Sequence, residues 1–196
     1  MRRYLAPLLA LLLFAAAAPS ADEKITESEY FPLKVGTKWD YRVGNGKFSV
    51  RVARHEKVGD AMCALLETVK DGKVVGTQHV AARADGLYRY TDQGQQAQPP
   101  LLFLKLPPKK GGAWKFDFKL GGQQVKGGLV LDEEEVTVPA GKYKAVVVET
   151  KDAEGPATLK PQAKWWYAPG VGLVKQQMKV GDAEATFELE KFEPGK

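Results

Sequence analysis

The fold is indicated first by residues 39–58, WDYRVGNGKFSVRVARHEKV, where two runs of alternating apolar and polar residues flank an Asn-Gly pair. Asn45 and Gly46 can both adopt positive φ, which the tight turn of a β-hairpin requires at its central positions. The stretch therefore predicts two antiparallel strands, 39–43 and 48–58, joined by a short turn.

Similar turn signals recur at intervals of ~8 to 12 residues along the chain. Asp71-Gly72 predicts a second hairpin, residues 138–141 (VPAG) fit a type I turn followed by a bulge, and residues 168–171 (APGV) fit a type II turn. No segment shows the 3.6-residue period of an amphipathic helix. The pattern predicts an all-β antiparallel meander of about eleven strands, forming a strongly curved sheet, half-barrel or barrel, or a sandwich.

An apolar insert, residues 99–108 (PPLLFLKLPP), lies between two proline pairs in the middle of the chain. Proline has no N–H group to donate to a strand ladder, so this segment should not begin or end inside a sheet. We expect an edge strand, a short turn of helix or a covering loop. If the sheet encloses a cavity, the insert would be a lid or plug across one mouth.

The two parts of the chain repeat several short patterns in the same order. Residues 32–41 (PLKVGTKWDY) match 107–116 (PPKKGGAWKF) at Pro, Lys, Gly and Trp, and residues 64–68 (ALLET) match 146–150 (VVVET). Gly86-Leu87 likewise matches Gly172-Leu173. We hypothesise that residues 31–106 and 107–196 are two related halves. The alternative is that hairpin-rich sequences resemble each other through composition.

The N-terminus has the layout of a secretory signal peptide. Arg2 and Arg3 precede the apolar run 5–18 (LAPLLALLLFAAAA), which small residues follow. The run is shorter than the ~20 apolar residues that span a bilayer. We predict a signal peptide over residues 1–20, cut after Ser20 with no cysteine there to carry a lipid. A flexible lead-in, 21–30, and a single β domain, 31–196, follow, with no transmembrane segment after signal removal and a periplasmic or secreted location.

Charge and residue counts exclude several functional classes. Loss of the signal lowers the net charge from +5 to about +3, which is ordinary for a soluble surface and argues against nucleic acid as a partner. His55 and His79 lie on different predicted strands, and the acidic run 132–135 does not alternate with Gly or Asn as calcium loops do. We therefore predict no catalytic residue, no metal and no cofactor, and a protein that is not an enzyme.

The single cysteine, Cys63, lies in the apolar run 61–66. A lone cysteine forms no internal disulfide, and in such a run it is expected to be a buried, unreactive thiol. An intermolecular bridge or a reactive thiol are the alternatives.

Several predicted strands are apolar on both faces, notably residues 64–66, 145–148 and 165–167. A second sheet, the insert, a partner protein or a bound apolar ligand could cover the second face. We predict non-enzymatic binding of a lipid or other amphiphile in a curved sheet. The alternative is a structural or interaction module with a filled core, meeting an envelope protein through its edges or residues 105–119. The candidate ligand-binding residues are Leu101, Phe103, Leu104, Trp165, Trp166 and Tyr167.

Three motifs in this order resemble those of a group of exported bacterial proteins classed as domains of unknown function. They are residues 30–39 (YFPLKVGTKW), 136–143 (VTVPAGKY) and 166–174 (WYAPGVGLV). The resemblance implies a curved antiparallel β fold and a bacterial cell-envelope location, and it implies no active site. Such proteins are often lipid-anchored, from which this chain departs by having no cysteine at the predicted signal cut.

Overall fold

The structure is a computed structural model that describes residues 25–155, 162–180 and 183–196. The predicted signal peptide, 1–20, lies outside the described residues. Within them the chain forms a closed antiparallel barrel of twelve strands and no helix. The strands are β1 (Lys38–Val43), β2 (Gly46–Val58), β3 (Ala61–Lys70), β4 (Lys73–Arg83), β5 (Gly86–Asp92), β6 (Gln95–Lys105), β7 (Ala113–Leu120), β8 (Gln123–Val138), β9 (Gly141–Glu154), β10 (Gln162–Ala168), β11 (Gly172–Val180) and β12 (Ala183–Glu193).

Each strand pairs with the next one along the chain, and β12 pairs with β1 to close the barrel. This confirms the all-β meander and selects the barrel among the predicted arrangements; the strand number is twelve, where about eleven were expected. Because the strands alternate in direction, the two ends of the barrel differ. The turns at 44–45, 71–72, 93–94 and 121–122 lie at one end, here called the distal end. The described segments that precede β1 and follow β12, residues 25–37 and 194–196, lie at the other end, here called the terminal end.

The turns of two hairpins can be compared with the φ values that their residues predict. Asp71 and Gly72 both have positive φ, 51° and 72°, as the predicted hairpin requires. The first hairpin differs from the prediction by one residue. Its loop is Gly44-Asn45, with positive φ at Gly44 (54°), and Val43 pairs with Gly46. This is the pattern of a type II′ turn, in which glycine occupies the first central position.

The terminal end is packed. Trp39, Leu66, Leu87 and Leu189 are fully buried inside it. Burying one such side chain stabilises a fold by roughly 1.5–3 kcal/mol. This end therefore holds a well-filled core.

Two chain segments close the terminal end. In the N-terminal segment, the Phe31 ring stacks on Trp39 at 5.4 Å and Leu33 is fully buried. Within the predicted lead-in, 25–30, the Glu29 carbonyl accepts a 2.7 Å hydrogen bond from the Gly170 amide. From the other side, the tip of the β8–β9 hairpin reaches across, and the Ala140 amide donates to the Leu189 carbonyl at 3.0 Å.

The proline-bounded insert is not a lid, a plug or a helical turn. Residues 99–105 belong to β6, a wall strand that pairs with β5 along most of its length. The prolines coincide with a gap on both sides of the strand. The register with β5 skips residues 97–100, and β6 and β7 pair only at Ala97–Leu120 and Gln98–Lys119, with no pair from Pro99 onward. Pairing with β5 resumes at Leu101, so β6 stays in the sheet while its β7 edge remains open.

The acidic run 132–135 lies inside β8. Its carboxylates are exposed and form ion pairs, including Glu134 with Lys164 of β10 at 2.6 Å and Glu135 with Lys142 of β9 at 2.7 Å. These cations partly offset the repulsion between the like charges of the run.

The proposed halves correspond strand by strand. Residues 31–106 contain β1–β6 and residues 107–196 contain β7–β12. Each pair of matching sequence patterns lies on strands that hold the same position in their halves. Trp39 and Trp114 lie on β1 and β7, residues 64–68 and 146–150 on β3 and β9, and residues 86–87 and 172–173 on β5 and β11. Two unrelated runs of hairpins would not be expected to place all three pairs in this way.

Backbone contacts ahead of β1 and β7 repeat as well. In each half, a glycine-containing segment precedes the first strand. One residue of the second strand accepts a backbone hydrogen bond from this segment and donates another to it. The bonds are Gly36 N–H to Val52 O (2.9 Å) and Val52 N–H to Thr37 O (2.9 Å), and Gly111 N–H to Leu131 O (2.9 Å) and Leu131 N–H to Gly112 O (2.8 Å). This correspondence supports the hypothesis of two related halves.

Candidate functional site

A cavity of about 220 Å³ lies inside the barrel at the distal end. Seven consecutive strands, β5 to β11, contribute to its wall. Its lining comprises Arg89, Asp92, Ala97, Leu101, Phe103, Phe116, Phe118, Leu120, Val125, Leu129, Thr150, Ala153, Trp165, Tyr167, Gln176 and Met178. Apolar and aromatic side chains dominate, and a few polar groups lie among them, which is the usual composition of a small-molecule site.

Aromatic rings form much of the wall. The Phe103 and Tyr167 rings lie 6.0 Å apart, and the Phe116 and Phe118 rings also lie 6.0 Å apart. Phe31 contacts both Phe103 (6.0 Å) and Tyr167 (6.2 Å), so its ring separates the cavity from the packed terminal end. Packing against the core therefore holds these rings in place before any ligand binds.

A glycine makes room for one of these rings. Gly127 is the cross-strand partner of Phe116, and a Cβ at Gly127 would lie 2.6 Å from the ring. The Phe116 ring therefore lies directly over the backbone of β8. A side chain at Gly127 would force the ring to move and change the shape of the cavity.

Arg89 is the cation of the cavity wall. Its Nη1 lies 3.6 Å from Asp92 Oδ2, and its guanidinium carbon lies 5.8 Å from the centre of the Phe103 ring. Its Nε is buried and, in the described part of the chain, has no hydrogen-bond partner. One donor of this guanidinium is thus withdrawn from water and unsatisfied.

The Tyr167 hydroxyl is the second polar group of note. Tyr167 is 4% exposed, and burial raises its pKa well above the usual value, an effect that the nearby charge of Arg89 partly offsets. The phenol is therefore a neutral O–H donor at physiological pH. No hydrogen bond of this hydroxyl is found among the described residues, whereas the equally buried Tyr41 hydroxyl donates to the Leu173 carbonyl at 2.6 Å.

The cavity lies beside the open junction between β6 and β7. Leu101 and Phe103 on β6 and Phe116 and Phe118 on β7 all line the cavity. Beyond the two residue pairs at the distal end, the junction is bridged by the Trp114 indole N–H, which donates to the Leu102 carbonyl at 3.0 Å. A side chain therefore replaces part of the missing ladder.

Four of the six residues predicted to bind ligand line the cavity: Leu101, Phe103, Trp165 and Tyr167. Leu104 lies in the packed core and is fully buried. Trp166 packs on the opposite face of β10, where its indole N–H donates to Glu134 Oε2 at 2.9 Å and the Lys164 ammonium lies 4.9 Å from the ring centre.

Sequence reasoning missed Arg89, Asp92 and the two phenylalanines of β7. Arg89 was detectable in principle, because it has the same strand phase as the inward-facing Leu87. A charged residue in a strand nevertheless usually faces water, so its position in the alternation was not enough to predict that Arg89 faces inward.

Other groups with chemical potential are accounted for by packing. Cys63 is fully buried, and burial raises the pKa of its thiol to about 11, so the thiol is protonated at neutral pH. His79 bonds Glu56 and Thr91, each at 2.7 Å. No group of three or more His, Cys, Asp or Glu side chains suited to a metal is found among the described residues. A wide depression of about 900 Å³ along β9–β12 is lined mainly by charged and polar side chains.

Comparison with known proteins identifies the same class of molecule as the motifs did. Residues 122–179 match a family described as DUF3108-like, an uncharacterised domain. A predicted lipoprotein of Parabacteroides distasonis ATCC 8503 has a similar structure, with a TM-score of 0.50 and 14% identity over 86% of this chain and 100% of that chain. This likeness concerns the fold, and together with the family match it confirms the resemblance to uncharacterised bacterial proteins.

A second solved structure is a predicted exported protein of Bacteroides fragilis NCTC 9343, described as having a YmcC-like fold. It has a TM-score of 0.46 and 14% identity, covering 83% of this chain and 98% of that chain. No curated protein matches this chain. In the described ranges, no helix is long and apolar enough to cross a membrane.

Proposed function

We propose that this protein binds an apolar or amphiphilic ligand, without catalysis, in the cavity at the distal end of its barrel. The observation that supports this is the contrast inside one barrel. The terminal end is filled by buried side chains, whereas the distal end keeps about 220 Å³ of space between aromatic walls. Interiors are normally packed as densely as organic crystals, so a preformed space with an apolar lining and a few polar groups indicates a site for a small ligand.

An exported location is part of the proposal, specifically the periplasm or the outside of the cell. The signal-like residues 1–20 support it, as does the description of the Parabacteroides neighbour as a lipoprotein. The absence of a cysteine at the predicted cut argues for a soluble mature chain.

The chemistry of the cavity wall supports binding over catalysis. Its titratable side chains are Arg89, Asp92 and Tyr167. The Tyr167 phenol is kept protonated by burial, and the Asp92 carboxylate is engaged by Arg89. These groups can orient a polar head, and they offer no activated nucleophile with a base to serve it.

Binding of the neutral apolar fluorophore N-phenyl-1-naphthylamine to a chain spanning residues 21–196 tests the proposal. We expect saturable binding with fluorescence enhancement. Leu120→Trp places a large ring in the cavity and should weaken binding about 10-fold or more, since each 1.4 kcal/mol of lost binding energy corresponds to a factor of ten.

Val75→Trp is the matched control, because Val75 is 56% exposed on β4 and adds the same ring outside the cavity. It should leave binding unchanged. Absence of saturable binding to the unmodified chain, or equal losses in both variants, would contradict the proposal.

The interaction-module alternative is favoured by one observation, the unpaired stretch between β6 and β7. Strand edges that lack partners can accept a strand from another protein. A chain that binds no fluorophore but captures a defined envelope protein, in a manner abolished by substitutions on β6 or β7, would support this second function instead.

A further inference from the structure

We propose that the ligand is a single-chain carboxylate whose head is received by Arg89 and Tyr167 while its apolar tail occupies the rest of the cavity. This inference rests on the proposed binding function and adds the chemical class of the ligand. It is argued from two unsatisfied donors, the position of the one acid beside them, and the size of the space.

The first donor is the Arg89 guanidinium, which lies in the cavity wall and whose Nε is buried without a hydrogen-bond partner among the described residues. Because Nε itself is closed off, a ligand in the cavity meets the Nη groups of this under-satisfied guanidinium. Its planar fork matches the two oxygens of a carboxylate, which can accept from the two Nη groups together.

The second donor is the Tyr167 hydroxyl, held in the same cavity wall and 4% exposed. No partner for it occurs in the part of the chain that the structure describes. A neutral O–H group can donate to an oxygen and can also accept, but it adds no charge. Arg89 therefore supplies the preference for an anion, and Tyr167 supplies a second hydrogen bond to the same head.

The negative charge of Asp92 disfavours an anion in the cavity, and its contact with Arg89 indicates how strongly. Its contact with Arg89 is a single one, 3.6 Å between Oδ2 and Nη1, and both side chains are about one-third exposed at 35% and 30%. An ion pair this exposed contributes little. Asp92 contacts only Nη1, and no hydrogen bond of Nη2 is found among the described residues, so a carboxylate can bind at the Nη edge while Asp92 keeps its place.

The volume of the cavity limits the size of the apolar tail. At about 220 Å³ the cavity falls below the ~300–1,000 Å³ typical of sites for drug-sized ligands. A lipid with several acyl chains does not fit, whereas one short aliphatic chain does. The side chains available to such a tail are Leu101, Phe116, Phe118, Leu120 and Met178.

Calorimetric titration with sodium decanoate and, separately, with the neutral analogue 1-decanol tests the inference on residues 21–196. We expect decanoate to bind about 10-fold more tightly than decanol, because a charged hydrogen-bonded head contributes about 1.5–3 kcal/mol. Arg89→Gln should remove this preference, and Tyr167→Phe should weaken decanoate several-fold while sparing decanol. Asp92→Asn should strengthen decanoate, since it removes the competing acid.

Arg42→Gln is the matched control, because Arg42 pairs with Glu188 on the outer surface of β1 and does not line the cavity. It should leave both affinities unchanged. Decanol binding as tightly as decanoate, or a preference that survives Arg89→Gln, would overturn the inference. N-phenyl-1-naphthylamine binding distinguishes failure of the ligand class from failure of the binding function. If the fluorophore binds and decanoate binds no more tightly than decanol, only the ligand class is wrong. If neither the fluorophore nor decanoate binds, the proposed binding function is wrong.

Discussion

The two halves of the barrel meet at two junctions that differ sharply. At the β12–β1 junction, six residue pairs form a continuous ladder with one bulge, and Arg42 Nη2 lies 2.7 Å from Glu188 Oε2 across it. At the β6–β7 junction, two residue pairs form, and a tryptophan side chain bridges the remainder. The closed junction flanks packed core, and the open junction flanks the cavity.

The difference coincides with a few residues of β6. Pro99 and Pro100 lack N–H groups, and because consecutive strand residues point these groups to opposite edges, one missing donor faces β7 and the other faces β5. The last strand, β12, has no proline within its bounds and pairs with β1 along the whole of β1. The β6–β7 ladder accordingly ends where the prolines begin.

The largest expected effect is a difference in the free energy of unfolding lost when each of the two tryptophans, Trp39 on β1 and Trp114 on β7, is replaced. Trp39 is fully buried, stacks on Phe31 and donates to the Val171 carbonyl at 2.6 Å, whereas Trp114 is half-buried. Trp39→Ala should lower the free energy of unfolding by about 3–5 kcal/mol, and Trp114→Ala by roughly half of that. Urea unfolding with unchanged m-values measures both, and equal losses would show that the junctions are equally important for stability.

An intermediate effect is expected in amide hydrogen exchange. Residues 101–105 and 113–117 flank the open junction, where fewer backbone hydrogen bonds must break for local opening. Their amides should exchange on the order of 10-fold faster or more than those of β1 and β12. Residues 64–68 on β3, paired on both sides, serve as the internal reference. Exchange at β6 and β7 as slow as at this reference would contradict the comparison.

The smallest effect is a pH dependence confined to the closed junction. The hydrogen bond from Arg42 lowers the pKa of Glu188 below 4.5, and Lys175 reinforces it. A carboxylate with a lowered folded-state pKa stabilises the fold above its unfolded pKa, and this stability is lost as the pH falls through the folded value. Between pH 7 and pH 3.5, the wild type should therefore lose about 0.2–1 kcal/mol more than Glu188→Gln.

Denaturant midpoints at the two pH values measure this difference. No ion pair joins β6 to β7 among the described residues, so substitution of a β7 acid such as Asp117→Asn is the control and should not change the acid sensitivity of closure. An identical acid response of the wild type and Glu188→Gln would show that this pair does not contribute to the junction.

The candidate site could be read from the sequence only in part. Leu101, Phe103, Trp165 and Tyr167 stood out because they are large and apolar in segments without a visible covering face, and the structure places all four around the cavity. Leu104 and Trp166 share those segments but do not line the cavity. A β-bulge at Phe103 turns Leu104 inward opposite Leu87, in the packed core, and Trp166 is buried on the other face of β10 beside Glu134. Arg89 carries the distinctive chemistry and gave no signal by type, since only its neighbours in space show that it faces inward.

Hairpins, turns and the all-β meander were determined by the sequence alone, because they depend on φ preferences and alternation over a few residues, as at Asp71-Gly72. Barrel closure depended on the tertiary structure, because β1 and β12 pair across almost the whole chain and their meeting depends on the accumulated twist and stagger of every strand between them. The same accumulation brings seven strands around one cavity and places Arg89 and Tyr167 in its wall, each against the Phe103 ring. Local rules cannot specify such a space, because it is formed by residues that approach one another only when the barrel closes.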